Sequence, residues 1–187
     1  MKRLAVFCGS AAGNQPVYAE AARLTAREIA KRNIELVYGG GHVGLMGIIA
    51  DATLEAGGSV IGVIPEPLKS RELAHQGLTQ LHVVKDMHER KALMADLSDG
   101  FIALPGGAGT MEEIFETWTW GILGYHRKPC AFFNVASYFD LLAQFITHME
   151  QQAFLEPSYR KMLIIDTQIQ SLLDNLLAYQ PPEIKWS

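Results

Sequence analysis

Three turns in this chain carry residues that can hold an anion. They are Cys8-Gly9-Ser10-Ala11-Ala12-Gly13-Asn14, Gly39-Gly40-Gly41-His42-Val43-Gly44-Leu45-Met46-Gly47 and Pro105-Gly106-Gly107-Ala108-Gly109-Thr110. Glycine lets the backbone approach a ligand and aim N–H groups at it. A helix that starts directly afterwards adds unpaired donors and positive potential. A phosphate suits such a cradle best. No turn has the Gly-Lys-Ser/Thr of a P-loop, and the first is not G-x-G-x-x-G. Any one of them alone is equally well a tight turn, but three at one sheet edge point to a site. Gly9, Ser10, Gly40, Gly41 and residues 106–110 are therefore candidate ligand contacts. The third turn is the strongest, because Thr110 can add its hydroxyl.

A carboxylate and an arginine stand close by in sequence. Thr110 and Glu113 are three residues apart, the spacing of a capping box. Glu113 and Glu116 also share a helical face beside the glycine turn, where a carboxylate could reach the sugar of a ribose 5′-phosphate. Both readings of Glu113 stand at this point. Arg90 and Lys91, in Asp86-Met87-His88-Glu89-Arg90-Lys91, are either solvated charges or, for Arg90, an inward guanidinium suited to phosphate or sugar hydroxyls. His42, His75, His82, His88, His126 and His148 have no metal-ligand spacing, and no metal is expected. His75, near Glu72, is the least settled of them. Trp118 and Trp120 cannot share a helical face, and core packing is expected for both.

The elements that must position these residues follow from the pattern. Apolar runs at Leu4–Phe7, Ile34–Tyr38, Ser59–Ile64, Leu81–Lys85, Phe101–Leu104, Cys130–Asn134 and Leu163–Ile165 predict strands. Amphipathic stretches between them predict helices over Pro16–Arg32, the second turn to Ala56, Met87–Leu97, Thr110–Leu123, Tyr138–Gln151 and from about residue 168 onward. A short helix over Arg71–His75 is also expected. Alternating β and α with continuous apolar strands is the signature of an α/β fold, a doubly wound parallel sheet with helices on both faces. With 187 residues and no linker, one domain is expected over 1–187. In such sheets ligands bind beyond the carboxyl ends of the strands, which is where the glycine turns fall.

Composition narrows the function classes. Hydrophobic residues are 49% and charged residues 19% of the chain, which is globular composition. The net charge of −4 carries no basic surface, so neither nucleic acid nor an anionic membrane is an expected partner. No apolar stretch approaches the ~20 residues that span a bilayer, and the basic-then-apolar start reads as a first strand rather than a leader. Two cysteines, Cys8 and Cys130, are too few for a disulfide framework and read as buried thiols in a cytoplasmic setting.

Pro105-Gly106-Gly107-Ala108-Gly109-Thr110-Met111-Glu112-Glu113 has the form PGGxGTxxE. Met87-His88-Glu89-Arg90-Lys91 precedes it, and the run Val37 to Gly47 stands earlier. Together these resemble the Lonely guy (LOG) family of cytokinin-activating phosphoribohydrolases, over Ala5 to about Gln152. The resemblance implies a Rossmann-like fold, a homodimer with the site near the subunit contact, and no cofactor. It implies hydrolysis of the N-glycosidic bond of adenosine 5′-monophosphates, N6-substituted or plain, to the free base and ribose 5-phosphate. By the resemblance, Arg90 and Glu113 are catalytic, Gly106 to Glu112 (Met111 included) bind phosphate, and Glu72, Arg90, Lys91 and Thr119 touch substrate. Ala11 and His42 depart from it: a second serine and a small polar residue are common there. A phosphate-side contact is then expected to be missing at Ala11, and one pocket edge narrowed at His42.

Such a cleavage passes through an oxocarbenium-like state. Glu113 would stabilise it and orient the attacking water, while Arg90 fixes the sugar-phosphate and helps hold Glu113 ionised. Asp86, Glu72 and solvent all remain candidates to protonate the leaving base. Lysine decarboxylation, a label often attached to this family, is rejected, because no lysine sits in a recognisable pyridoxal-phosphate motif. The alternative is a carrier of a phosphorylated cofactor such as the molybdenum cofactor, which would bind without hydrolysing. A dinucleotide oxidoreductase is disfavoured, since no acidic residue closes the second strand.

Overall fold

The computed structural model describes residues 1–69 and 74–182. Seven strands form one sheet in the order β4-β3-β2-β1-β5-β6-β7. They are β1 (Arg3–Phe7), β2 (Glu35–Tyr38), β3 (Val60–Pro65), β4 (Gln80–Val84), β5 (Phe101–Ala103), β6 (Cys130–Phe133) and β7 (Leu163–Asp166). Every pairing is parallel. The order in which strands are added reverses at β1, outward to β4 on one side and to β7 on the other, so the loops after β1 and β5 part and leave a crevice.

Side chains alternate across the strands and build two cores. Leu4 and Val6 of β1 and Leu36 and Tyr38 of β2 face one layer, with α1 (Pro16–Lys31), α2 (Gly44–Glu55) and α8 (Ile169–Ala178). Ala5, Phe7 and Val37 face the other, with α4 (Met87–Leu97), α5 (Ala108–Ile122) and α6 (Asp140–Gln151). This is the expected doubly wound α/β, Rossmann-like fold. The short helices α3 (Glu66–Lys69) and α7 (Pro157–Arg160) were not predicted. The expected helix over Arg71–His75 falls partly outside the described residues. Its end is not helical: Ala74 forms an antiparallel bridge with Gly41. Trp118 is buried and donates from Nε1 to the Tyr159 carbonyl at 3.2 Å, and Trp120 packs at the edge of the same core.

Candidate active site

The site is built where the crevice meets α5. Gly9 N donates to the Pro105 carbonyl at 3.1 Å and Leu45 N to the Gly9 carbonyl at 3.0 Å, so the three glycine turns are tied together. Gly107 is the N-cap of α5, in extended backbone (φ −89, ψ −156), and makes no side-chain cap. Among the described residues no N-cap side chain satisfies the first-turn amides of α5, the arrangement of a candidate anion site. Helix α4 shows the opposite. Its N-cap Asp86 accepts from His88 N at 2.9 Å and Glu89 N at 3.0 Å, closing that terminus.

This geometry overturns the capping box read for Thr110 and Glu113. The helix starts at Ala108, two residues earlier than predicted, so Thr110 already lies inside the first turn. Glu113 sits one turn further along, a rise of about 4.5 Å. It is buried at 9% exposure, as is Arg90 at 7%. Arg90 Nη2 stands 3.4 Å from Glu113 Oε1. Arg90 Nη1 lies 3.7 Å from Met87 Sδ, and its Nε has no hydrogen-bond partner among the described residues. A buried guanidinium donor without a partner is costly. Room for this guanidinium comes from Gly39, where a Cβ would collide with Nη2.

A cavity of about 250 Å³ lies between these groups. Of the expected residues, Ser10, Arg90, Gly107, Ala108, Gly109, Thr110, Glu112 and Glu113 line it. Gly9 and Gly106 line an adjoining cleft of about 290 Å³, which shares Ser10 and Gly107 with the first. Others do not reach the cavity. Met111 turns into the core. Gly40 and Gly41 are buried in their turn, held by His75 N on the Gly40 carbonyl and by the Ala74 bridge. Thr119 is exposed further along α5 and donates to the Phe115 carbonyl. Lys91 spans to α5 instead, with Nζ 2.5 Å from Glu112 Oε1 and 3.0 Å from Glu116 Oε2. Burial alone would lower the Lys91 pKa, but these carboxylates outweigh it and leave the pKa raised. Glu72 lies outside the described residues.

Sequence reasoning missed Gly39, and missed Cys8, Met46 and Met87 in the cavity lining. The triple glycine after β2 was the available signal for the first. Burial pushes the Cys8 thiol up, and the Glu113 charge adds to this, so the cavity holds no ready thiolate nucleophile. Asp86 is a poor proton donor near neutral pH: the hydrogen bond from the Glu89 amide lowers its pKa, desolvation opposes this, and the His88 amide lowers it further. His42 and His75 lie on a separate cavity of about 630 Å³, where His75 Nε2 contacts Asp51 Oδ1 at 2.8 Å. The departure at His42 thus falls on this cavity, and that at Ala11 on the adjoining cleft.

Fold and site together define a Rossmann-like α/β protein with an uncapped, glycine-started helix and a buried arginine–glutamate pair one turn beyond. A family model described as "Possible lysine decarboxylase" matches residues 46–176. A cytokinin riboside 5'-monophosphate phosphoribohydrolase of Rhodococcoides fascians is 49% identical over 92% of this chain and 87% of its own. A probable enzyme of the same name from Oryza sativa subsp. japonica is 46% identical over 96% and 85%, and one from Arabidopsis thaliana 44% identical over 96% and 83%. The chain belongs to this family, the Lonely guy (LOG) phosphoribohydrolases. The molybdenum cofactor carrier protein of Chlamydomonas reinhardtii shares the fold, with a TM-score of 0.72 at 19% identity over 95% of this chain and 99% of that one.

Proposed function

We propose that this protein hydrolyses the N-glycosidic bond of adenosine 5′-monophosphates, releasing the base and ribose 5-phosphate. The observation that carries it is the buried Arg90–Glu113 pair, one helical turn from the open amides of α5. In this reading the 5′-phosphate sits on the amides of Ala108, Gly109 and Thr110. That anchoring holds the ribose between Arg90 and Glu113, so binding energy far from the bond positions the reacting centre. As the bond breaks, positive charge grows on the ribose and the Glu113 carboxylate stabilises it. Glu113 also orients the water that attacks C1′. The Arg90 guanidinium lines the same cavity as Glu113, and its planar fork suits a sugar or phosphate oxygen. The departing base takes a proton from a donor other than Asp86.

Lysine decarboxylation does not fit. Among the described residues the cavity lining contains no lysine. Its neighbour Lys91 is held protonated between two carboxylates, whereas a lysine that forms a Schiff base must lose its proton. No step is assigned to pyridoxal phosphate.

The same reading takes the partner to be a second copy of the chain, in the cytoplasm. Support for the copy comes from the exposed Leu141 and Phe145, one turn apart on α6, and Phe154 just after it. Thr119 would then meet substrate only through such an assembly, since it stands away from its own cavity. Sedimentation should show a dimer. Two free, buried thiols, Cys8 and Cys130, support a reducing compartment.

The test is direct. Purified protein incubated with AMP and with N6-prenylated AMP should yield free base and ribose 5-phosphate. Binding of these nucleotides without base release would overturn the hydrolase and leave a carrier.

A further inference from the structure

Tyr138 is absent from every role assigned so far. Yet its hydroxyl donates to the Gly106 carbonyl at 2.7 Å, a bond from the start of α6 into the glycine turn that feeds α5. The route by which the chain brings it there is costly. Ala136 (φ 47) and Ser137 (φ 61), in the 3-10 turn Val135–Ser137, are consecutive non-glycine residues in the left-handed region. Each such residue is disfavoured on its own. Asn134 holds the turn: its Oδ1 accepts from Phe139 N at 2.7 Å and its Nδ2 donates to Asp140 Oδ1 at 2.7 Å. The Tyr138 ring then packs edge-on against Tyr18, with centroids 5.7 Å apart, and against Phe139 at 4.9 Å. A surface aromatic needs none of this to pack.

The peptide it touches explains the arrangement. The Gly106–Gly107 bond has glycine on both sides, so it is the unit in this turn most free to rotate. The bond is trans, as are all described bonds, so its C=O and N–H point in opposite directions. Fixing the Gly106 oxygen on the Tyr138 side therefore aims the Gly107 N–H away from it. Gly107 borders both the Tyr138 cleft and the Arg90–Glu113 cavity. With the oxygen turned to Tyr138, the N–H joins the uncapped amides of α5 at the phosphate seat. With the peptide flipped, a carbonyl dipole would face the phosphate instead.

We infer that Tyr138 is a positioning residue that locks the Gly106–Gly107 peptide so that its N–H faces the substrate's 5′-phosphate. The inference rests on the proposed nucleotide site but not on turnover. The experiment is therefore calorimetric binding of AMP, inorganic phosphate and adenosine to the wild-type protein and to Tyr138→Phe. Phenylalanine keeps the ring packing and removes only the hydroxyl, and thermal melting checks that the fold is intact. AMP and phosphate should bind about 2- to 10-fold more weakly to the variant, the worth of one hydrogen bond. Adenosine should bind both proteins alike. Ser137→Gly, which relieves the strain and keeps the tyrosine, should retain wild-type phosphate affinity. Unchanged AMP affinity in Tyr138→Phe, or equal weakening of AMP and adenosine, would overturn the inference. A protein that binds AMP in this pattern but releases no base would fail as a hydrolase and keep this peptide lock.

Discussion

Helices α4 and α5 meet along one seam, and two neighbouring residues of α4 make ion pairs across it in different ways. Lys91 is closed: its ammonium sits 2.5 Å from Glu112 and 3.0 Å from Glu116. Arg90 is open: among the described residues its carboxylate contact is at 3.4 Å and its Nε has no hydrogen-bond partner, and the side chain lines a cavity. The two N-termini repeat the contrast, with Asp86 capping α4 and Gly107 leaving α5 uncapped. Satisfied groups hold the two helices in register. The unsatisfied groups gather at one spot, the N-terminus of α5 and the Arg90 guanidinium beside it. A buried donor left without a hydrogen bond is a cost to the fold, and Arg90 Nε carries that cost beside the cavity lining.

The sharpest way to break this contrast is Glu113→Gln. If the open pair is the reacting centre, kcat for AMP should fall by roughly 10²- to 10⁴-fold, while nucleotide affinity stays within a few-fold. Single-turnover base release together with calorimetry reads both. A turnover loss matched by an equal loss of binding would make Glu113 a binding residue only. Arg90→Lys comes next. It keeps the charge but loses the planar fork, so kcat/KM should fall by about 10- to 100-fold with weaker ribose 5-phosphate inhibition. Gly39→Ala should act in the same direction by displacing the guanidinium.

The sheet was legible because each strand is a short, continuous apolar run between breakers. Strand ends matched within a residue or two. The turn Pro105–Thr110 was legible too, since it leaves a strand and launches a helix. The cap was not. Thr110 and Glu113 have the capping-box spacing, but the helix begins at Ala108 because an extended glycine can end the turn without a side chain. Spacing within a helix does not say where that helix starts. The place of Lys91 was not legible for a similar reason: adjacent residues on a helix point about 100° apart, and only tertiary packing decides that Arg90 meets the cavity while Lys91 pairs with Glu112 and Glu116. Tyr138 left no trace in the sequence, because its role depends on backbone strain at Ala136 and Ser137.

The closed pair should answer to stability rather than chemistry. Lys91→Met strands Glu112 and Glu116 beside each other and should cost about 1–3 kcal/mol in urea unfolding. Nucleotide affinity should fall far less than in Arg90→Lys. The reverse order would restore Lys91 to the substrate contacts that the family resemblance implies. The pH dependence has a definite sign. The folded pKa of Lys91 is raised, so its contribution is complete below the unfolded lysine value of about 10.4 and is lost as pH rises through the folded one. Lys91→Met should therefore flatten the alkaline limb of the stability curve.

The smallest expected effect is at Asp86, and it tests the closed helix end. Its folded pKa is lowered, chiefly by the Glu89 amide. Its stabilising contribution is then present above the unfolded aspartate value of about 3.9 and lost as pH falls through the folded one. A carboxyl in that state carries no proton to give near neutral pH. Asp86→Asn keeps a capping oxygen and removes any acid function, so the pH profile of kcat/KM should keep its shape and its height within about 2-fold. Asp86→Ala removes the cap as well and should lower the melting temperature while leaving that profile shape alone. A vanished limb in Asp86→Asn would instead make Asp86 the donor to the departing base, and the closed end of α4 would then belong to the reaction.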